Sequence, residues 1–196
     1  MNKFTRRTVI AAACAAAAMT FAPMSFAQQA PEKKDVTIAV GGKSLYYYLP
    51  LSIAEQLGYF KDEGLNVKIV DFQGGSRSLQ AVVGGSADVV SGAFEHTISM
   101  QAKKQPMTAF VLQGRAPQLA LVVSNKTMKD YKQLSDLKGK KVGVTAPGSS
   151  SQMVANFILK KGGLGPKDVA FIGVGSSSGA VSAIRSGQID ALINLD

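Results

Sequence analysis

One pattern is written twice in this chain, and it restricts what the chain can fold into. Gly75-Ser76-Arg77-Ser78 is followed by Ala81-Val82-Val83 and then Gly85-Ser86-Ala87-Asp88-Val89-Val90. Gly175-Ser176-Ser177-Ser178 is followed by Ala183-Ile184-Arg185 and then Gly187-Gln188-Ile189-Asp190-Ala191-Leu192. Each copy opens with a Gly-Ser loop, whose backbone N–H groups and hydroxyls suit a helix start. A short helix of small and apolar residues follows, stopped by a C-cap glycine. A strand then begins at or just before an aspartate. The second copy is longer by two residues before its helix core, so the unit recurs without being a strict repeat. A chain that builds one loop–helix–strand unit twice is expected to have two like lobes, and small molecules commonly bind between lobes.

With 196 residues there is room for one large domain or two small ones. Val36–Val40 reads as a strand ending at Gly41-Gly42. Leu51, Ile53, Ala54 and Leu57 have helical spacing up to Gly58. Asn66–Phe72 alternates as a strand, the first repeat leads into a strand at Asp88–Ser91, Phe94–Lys104 reads as a helix and Met107–Leu112 as a strand. Strand and helix in alternation with short loops predict an α/β fold with a parallel sheet. Gln113-Gly114-Arg115-Ala116-Pro117 marks the crossing, giving a first lobe over 36–113 and a second over 114–196. The second lobe holds strands at Leu119–Ser124, Lys141–Thr145, Val169–Gly173 and Ile189–Asn194, with a helix from the Gly148-Ser149-Ser150-Ser151 loop to Lys161. A sheet that finishes at Asp196 without a closing helix reads as an incomplete second lobe, hence as a fragment.

Residues 1–27 read as a secretory signal peptide. Lys3, Arg6 and Arg7 precede the apolar run Ala11–Ala22, and Ser25-Phe26-Ala27 fits the small-x-small rule for cleavage between Ala27 and Gln28. That run is shorter than the ~20 residues of a bilayer span. Thr5-Arg6-Arg7-Thr8-Val9-Ile10 resembles a twin-arginine signal, with Val9-Ile10 in place of the usual Phe-Leu, so Tat and Sec export both remain open. Cys14, the one cysteine, leaves with the signal, and the mature chain is read as having no disulfide. Gln28–Asp35 is a polar leader, and the expected location is the periplasm.

The charge pattern and the motifs exclude several functions. Loss of Lys3, Arg6 and Arg7 lowers the whole-chain net charge of +9 without removing an acid. The remaining basic residues are dispersed and lack interleaved aromatics, the pattern of a solvated surface rather than a nucleic-acid site. Gly41-Gly42-Lys43-Ser44 lacks the glycine that a P-loop needs at position 37, where a threonine stands. Gly173-Val174-Gly175-Ser176-Ser177-Ser178-Gly179 is one residue too long for a dinucleotide fingerprint. No serine sits in a nucleophile elbow. No cluster has metal-ligand spacing, so neither metal nor cofactor is expected.

What remains is a set of strand-end loops. Glu95 and His96 follow a strand at the edge where open α/β sheets hold ligands. They either hydrogen-bond a polar ligand, or serve as a dipole-favoured helix start and a surface residue. Gly74-Gly75-Ser76, Gly148-Ser149-Ser150-Ser151 and Gly175-Ser176-Ser177-Ser178 each follow a strand and open a helix, where free N–H groups bind carboxylate, sulfonate or phosphate. Each serine could equally cap its own helix.

Leu49-Pro50-Leu51-Ser52-Ile53-Ala54-Glu55-Gln56-Leu57-Gly58-Tyr59-Phe60-Lys61-Asp62-Glu63-Gly64-Leu65-Asn66-Val67 resembles the early signature of the nitrate/sulfonate/taurine-type solute-binding proteins of ABC importers. These are themselves similar to the thiamine-pyrimidine-precursor binding family. Gly74 through Asp88, Asp136 through Val144 and Ser186 through Ala191 resemble later motifs in order. The resemblance implies a type II periplasmic-binding-protein fold, two α/β lobes closing on a ligand. It implies a cleft built from Ser44, Tyr46, Gly75, Ser76, Phe94, Glu95 and His96 of the first lobe and Ser149, Ser150, Ser151 and Ser176 of the second. It implies a monomeric, non-enzymatic receptor that takes a small anionic or zwitterionic organic solute (a sulfonate, carboxylate or pyrimidine-like compound) to an inner-membrane ABC permease with its ATPase. The alternatives are a pyrimidine-precursor-type enzyme on the same fold and a ligand-sensing module.

Overall fold

The computed structural model describes residues 31–116 and 118–195. The signal peptide, the cleavage site at Ala27 and Gln28, the arginine pair and Cys14 lie outside the described residues.

The first lobe is built on β1 (Asp35–Val40), whose last residues Ala39 and Val40 are fully enclosed. A 3-10 turn at Tyr46–Tyr48 runs into helix α1 (Leu49–Leu57), with Pro50 in its first turn, where no intrahelical N–H is missed. Gly58 closes α1 in the left-handed region at φ 81°, and the single turn α2 (Tyr59–Asp62) follows. β2 (Asn66–Asp71), α3 (Gly75–Val83), β3 (Val89–Val90) and α4 (Glu95–Ala102) follow in this lobe. Its strands are all parallel, in the order β2-β1-β3. Ile38, Val40, Leu45 and Tyr48 form its core.

The second lobe holds β4 (Leu119–Val123), β5 (Lys141–Val144), α5 (Ser150–Lys161), β6 (Ala170–Gly173), α6 (Ser178–Ser186) and β7 (Ala191–Leu195). Strand order is β4-β7-β5-β6, with β4 antiparallel to β7 and the other pairs parallel. Val142, Val144, Leu159, Ile193 and Leu137 pack as one apolar cluster between this sheet and α5.

The repeat seen in the sequence is a structural repeat with matching bonds. Gly85 and Gly187 take φ of 75° and 82°, a conformation that favours glycine. Ala87 N–H and Ile189 N–H donate to the Ala81 and Ala183 carbonyls at 3.2 and 3.4 Å. Asp88 and Asp190 then do the same work in each lobe. Asp88 Oδ2 accepts the Thr37 N–H at the start of β1, and Asp190 Oδ2 accepts the Lys141 N–H at the start of β5, both at 2.8 Å. Each aspartate, standing just before its strand, ties that strand to an inner strand of its sheet.

Two expectations change. Met107–Leu112 forms no strand: residues 105–114 are irregular, and Phe110, Val111 and Leu112 are more than 70% exposed. An apolar, β-prone run becomes a strand only when a neighbouring edge pairs its backbone. The adjacent β3 is two residues long, and the segment is tethered instead through Gln113, whose side chain donates to the Tyr47 carbonyl and accepts from Ser91 Oγ. The serines do not cap their own helices either. Ser149 precedes α5 and Ser177 precedes α6, and neither makes a side-chain cap bond.

Candidate functional site

The carboxyl ends of β1, β3 and β5, the end of β7 and the start of α5 meet around a cavity of ≈ 230 Å³. This is the position where open α/β sheets hold ligands. Four residues expected from sequence line it: Gly75, Phe94, Glu95 and Ser150. Tyr47, Tyr48, Arg115, Thr145 and Met153 also line it and were not foreseen as site residues. Tyr46-Tyr47-Tyr48 is a run in the sequence, and a run does not say which of its members faces inward. Tyr46 is outside the cavity lining and 78% exposed, while Tyr48 is 3% exposed and donates through its hydroxyl to the Ser91 carbonyl.

Glu95 is the first residue of α4, where a negative side chain complements the helix dipole. Its Oε1 is enclosed and has no hydrogen-bond partner. Beside it, burial raises the Tyr47 phenol above its ordinary range, and the Glu95 charge adds to that rise. Burial pushes Tyr48 further, up to about 12. Both phenols therefore stay protonated and able to donate.

His96 faces another way. It is 7% exposed, lines a second, larger and more apolar cavity between the 107–114 segment and the first-lobe sheet, and its Nε2 has no partner. Nε2 lies 3.1 Å from where a side-chain carbon on Gly75 would stand, so the imidazole fills the space that the glycine leaves at the start of α3. Burial lowers its pKa; the Glu95 charge opposes this and the Lys103 charge assists it.

The serine loops meet one another across the two lobes. Ser76 N–H donates to Ser149 Oγ at 3.0 Å, Ser149 Oγ–H to Ser76 Oγ at 3.0 Å, and Ser76 Oγ–H to the Pro147 carbonyl at 2.8 Å. Ser176 Oγ reaches the Gly41 carbonyl at 3.5 Å. Ser151 is fully enclosed, with its hydroxyl engaged by Thr145 N–H and Oγ1. Ser44 is exposed in the turn after β1. The Ser76 N–H, one of the donors expected to cradle an anion at the start of α3, is thus in use. Gly42 and Lys43 N–H both donate to Asp71 Oδ1, at 2.7 and 3.0 Å. Asp71 lies at the end of β2, and nothing in the local sequence distinguished it from other strand-end acids.

Among the described residues, no group of three or more His, Cys, Asp or Glu could hold a metal ion. No helix among them is long and apolar enough to cross a membrane.

This geometry agrees with what the chain resembles. The family described as NMT1/THI5 like matches residues 46–196. A Bordetella bronchiseptica RB50 protein of solved structure is 66% identical, with a TM-score of 0.82, over 84% of this chain and 52% of that one. The alkanesulfonate-binding protein SsuA from Xanthomonas axonopodis pv. citri, solved bound to MOPS, is 22% identical with a TM-score of 0.61, over 85% and 56%. The 4-amino-5-hydroxymethyl-2-methylpyrimidine phosphate synthase of Schizosaccharomyces pombe is 27% identical over 82% of this chain and 45% of its own length. The chain spans about half the length of the relatives it matches. Its fold is the type II periplasmic-binding-protein fold, two α/β lobes with a cleft between them.

Proposed function

The chain belongs to the NMT1/THI5-like family, and from that premise we infer that it serves as the solute-binding receptor of an ABC importer. It takes a small organic solute in the cleft and delivers it to an inner-membrane permease in the periplasm, after export by its signal peptide. One observation carries the reading: a cavity where the strand ends of both lobes meet, lined by Gly75, Tyr47 and Glu95 of the first and by Thr145, Ser150 and Met153 of the second. Concave sites between lobes, with a few polar groups among ring and apolar surface, are where small molecules are commonly held.

In this reading the solute contacts both lobes at once, through Glu95 and Tyr47 on one side and Ser150 and Thr145 on the other. Contacts made to both walls stabilise the closed arrangement over the open one by the difference in affinity. The hydroxyl bridge Ser76–Ser149–Pro147 and the Ser176–Gly41 contact then act as the closing surface rather than as direct ligand groups.

The fungal relatives' name supports a second reading, an enzyme on the same fold. Catalysis would need a base aligned on a nucleophile or substrate. His96 Nε2 accepts no hydroxyl, and His96 lines the other cavity, which favours the receptor. Thermal-shift and calorimetric screening of sulfonates, carboxylates, pyrimidines and amines, with each bound compound recovered afterwards, separates the two. A receptor returns its ligand unchanged and binds it after His96→Ala. Recovery of a converted compound, with conversion abolished by His96→Ala, would establish the enzyme instead.

A further inference from the structure

We propose that the second lobe carries a membrane-contact face: the edge where its strands start, opposite the cleft, meets the anionic headgroups of a bilayer. The inference is independent of which solute the cleft takes. Residues 31–113 hold eight basic and eight acidic residues, whereas residues 114–196 hold eleven basic and five acidic ones. The excess of positive charge in this span therefore belongs to one lobe. Topology then gathers it. β5 is parallel to both β6 and β7, and α5 and α6 link these strands, so both helices end at the edge where the strands start. β4, antiparallel to β7, ends there too. Lys138, Lys140 and Lys141 lie at the entry to β5, and Lys167 shortly before β6. Lys160 and Lys161 end α5, and Arg185 lies in the last turn of α6. Lys126, just past β4, donates to the Ser186 carbonyl at 2.8 Å, which ties the end of β4 to the same edge.

All of these side chains are exposed except Lys140, which is half-buried. The ion pairs Lys33–Asp88 and Lys43–Glu55 lie in the first lobe, and none is found at this edge among the described residues. The edge carboxylates are engaged by backbone instead. Asp136 accepts the Lys132 and Gln133 N–H groups, Asp168 that of Gly165, and Asp190 that of Lys141. The face suits a lipid surface better than a protein. Protein interfaces deplete lysine and concentrate their energy in aromatic and arginine anchors, whereas the basic residues at this edge are lysines apart from Arg185. A lysine ammonium is a compact, hydrated point charge, and near an anionic bilayer each contributes about fivefold in affinity. With this edge on the bilayer, the cleft at the opposite edge stays open to solution.

The competing account is that these lysines only complement the ends of α5 and α6 and keep the lobe solvated. Co-sedimentation of the mature form, beginning at Gln28, with phosphatidylcholine vesicles and with vesicles containing phosphatidylglycerol separates the two. The expected result is binding to the phosphatidylglycerol vesicles alone. It should be lost between about 0.1 M and about 1 M salt, as the Debye length shrinks from about 10 Å to about 3 Å. Lys138→Gln, Lys160→Gln and Lys167→Gln together remove three exposed charges from the edge and should weaken binding about fivefold for each. Lys34→Gln, Lys61→Gln and Lys68→Gln remove the same charge from the exposed surface of the first lobe and should leave most of the binding. Urea unfolding checks that both variants are folded. Equal sedimentation with the two kinds of vesicle, or an equal loss in the two variants, overturns the inference; the second result would mean attraction by net charge alone. Binding of poly-L-glutamate without binding to vesicles also overturns it, and makes the edge a docking face for an acidic protein. Each of these failures leaves the solute screen above untouched, so the receptor reading stands or falls separately.

Discussion

Gly41→Ala tests how β1 delivers the cleft. Gly41 directly follows the central strand of the first lobe and is buried against the opening of α3. A side-chain carbon there would stand 2.4 Å from the Gly74 carbonyl carbon, 2.5 Å from Gly75 N and 2.8 Å from Gly74 Cα. Carbon atoms sit at about 3.5–4.0 Å at best, so the loop would have to retreat by about 1 Å. All three obstacles are backbone, so no side-chain rotation relieves them. Both sides are also anchored. Gly41 N–H donates to the Tyr48 hydroxyl at 3.2 Å, and Gly74 N–H to the Phe72 carbonyl at 2.8 Å. Overpacking of this kind costs about 1–3 kcal/mol, and the backbone obstacle places it toward the upper end. With a urea slope of about 1–3 kcal/mol/M, the unfolding midpoint should fall by about 1 M. Gly165→Ala is the control. Its added carbon would meet only Asp168 Oδ2 at 3.6 Å, an ordinary contact, so the midpoint should move by less than about 0.5 kcal/mol equivalent. Because the retreating loop carries Ser76, Gly41→Ala should also weaken ligand binding. Equal midpoints for the two variants would refute the claim that the close approach of β1 to α3 shapes the site.

Three further outcomes can be measured on the same protein. Ser149→Ala removes the acceptor of the Ser76 N–H at a site 2% exposed, and should cost about 1–3 kcal/mol and speed exchange of the Ser76 amide; unchanged exchange would mean that the bridge is not populated in solution. Leu159→Ala, at a site 1% exposed in the second-lobe core, should cost about 2–5 kcal/mol by urea unfolding, whereas Phe157→Ala on the 60% exposed face of the same helix should cost far less. At Asp190, burial alone would raise the pKa, but the Lys141 N–H, the Thr127 hydroxyl and the charges of Lys140 and Lys141 outweigh it and lower the value. A depressed carboxylate stabilises the fold above its unfolded pKa of about 3.9, and that share is lost as pH falls through the folded value. Urea midpoints of the wild type should therefore drop on acidification below about pH 4, and Asp190→Asn should remove part of that drop; an identical pH profile in the variant would contradict the assigned bonds.

Sequence alone determined the repeated unit, because its signals are local. Glycines at turn positions and an aspartate opening a strand act through neighbours a few residues away, and the structure gives both copies the same bonds, down to Asp88 on Thr37 and Asp190 on Lys141. The family and the two-lobe α/β fold were legible for a related reason: ordered motifs and strand–helix alternation survive in one dimension. What only the tertiary structure decided is how polar groups are paired over long separations. Whether a serine caps its helix, bridges to the other lobe or is enclosed depends on partners such as Ser76 and Ser149, which lie 73 residues apart. Whether Met107–Leu112 becomes a strand depends on an edge that the segment does not carry. The same holds for Glu95. Its place at a helix start was readable, but its unpaired oxygen could be known only once every possible partner had a position, because hydrogen bonding in a packed interior is settled by the whole fold and not by the segment.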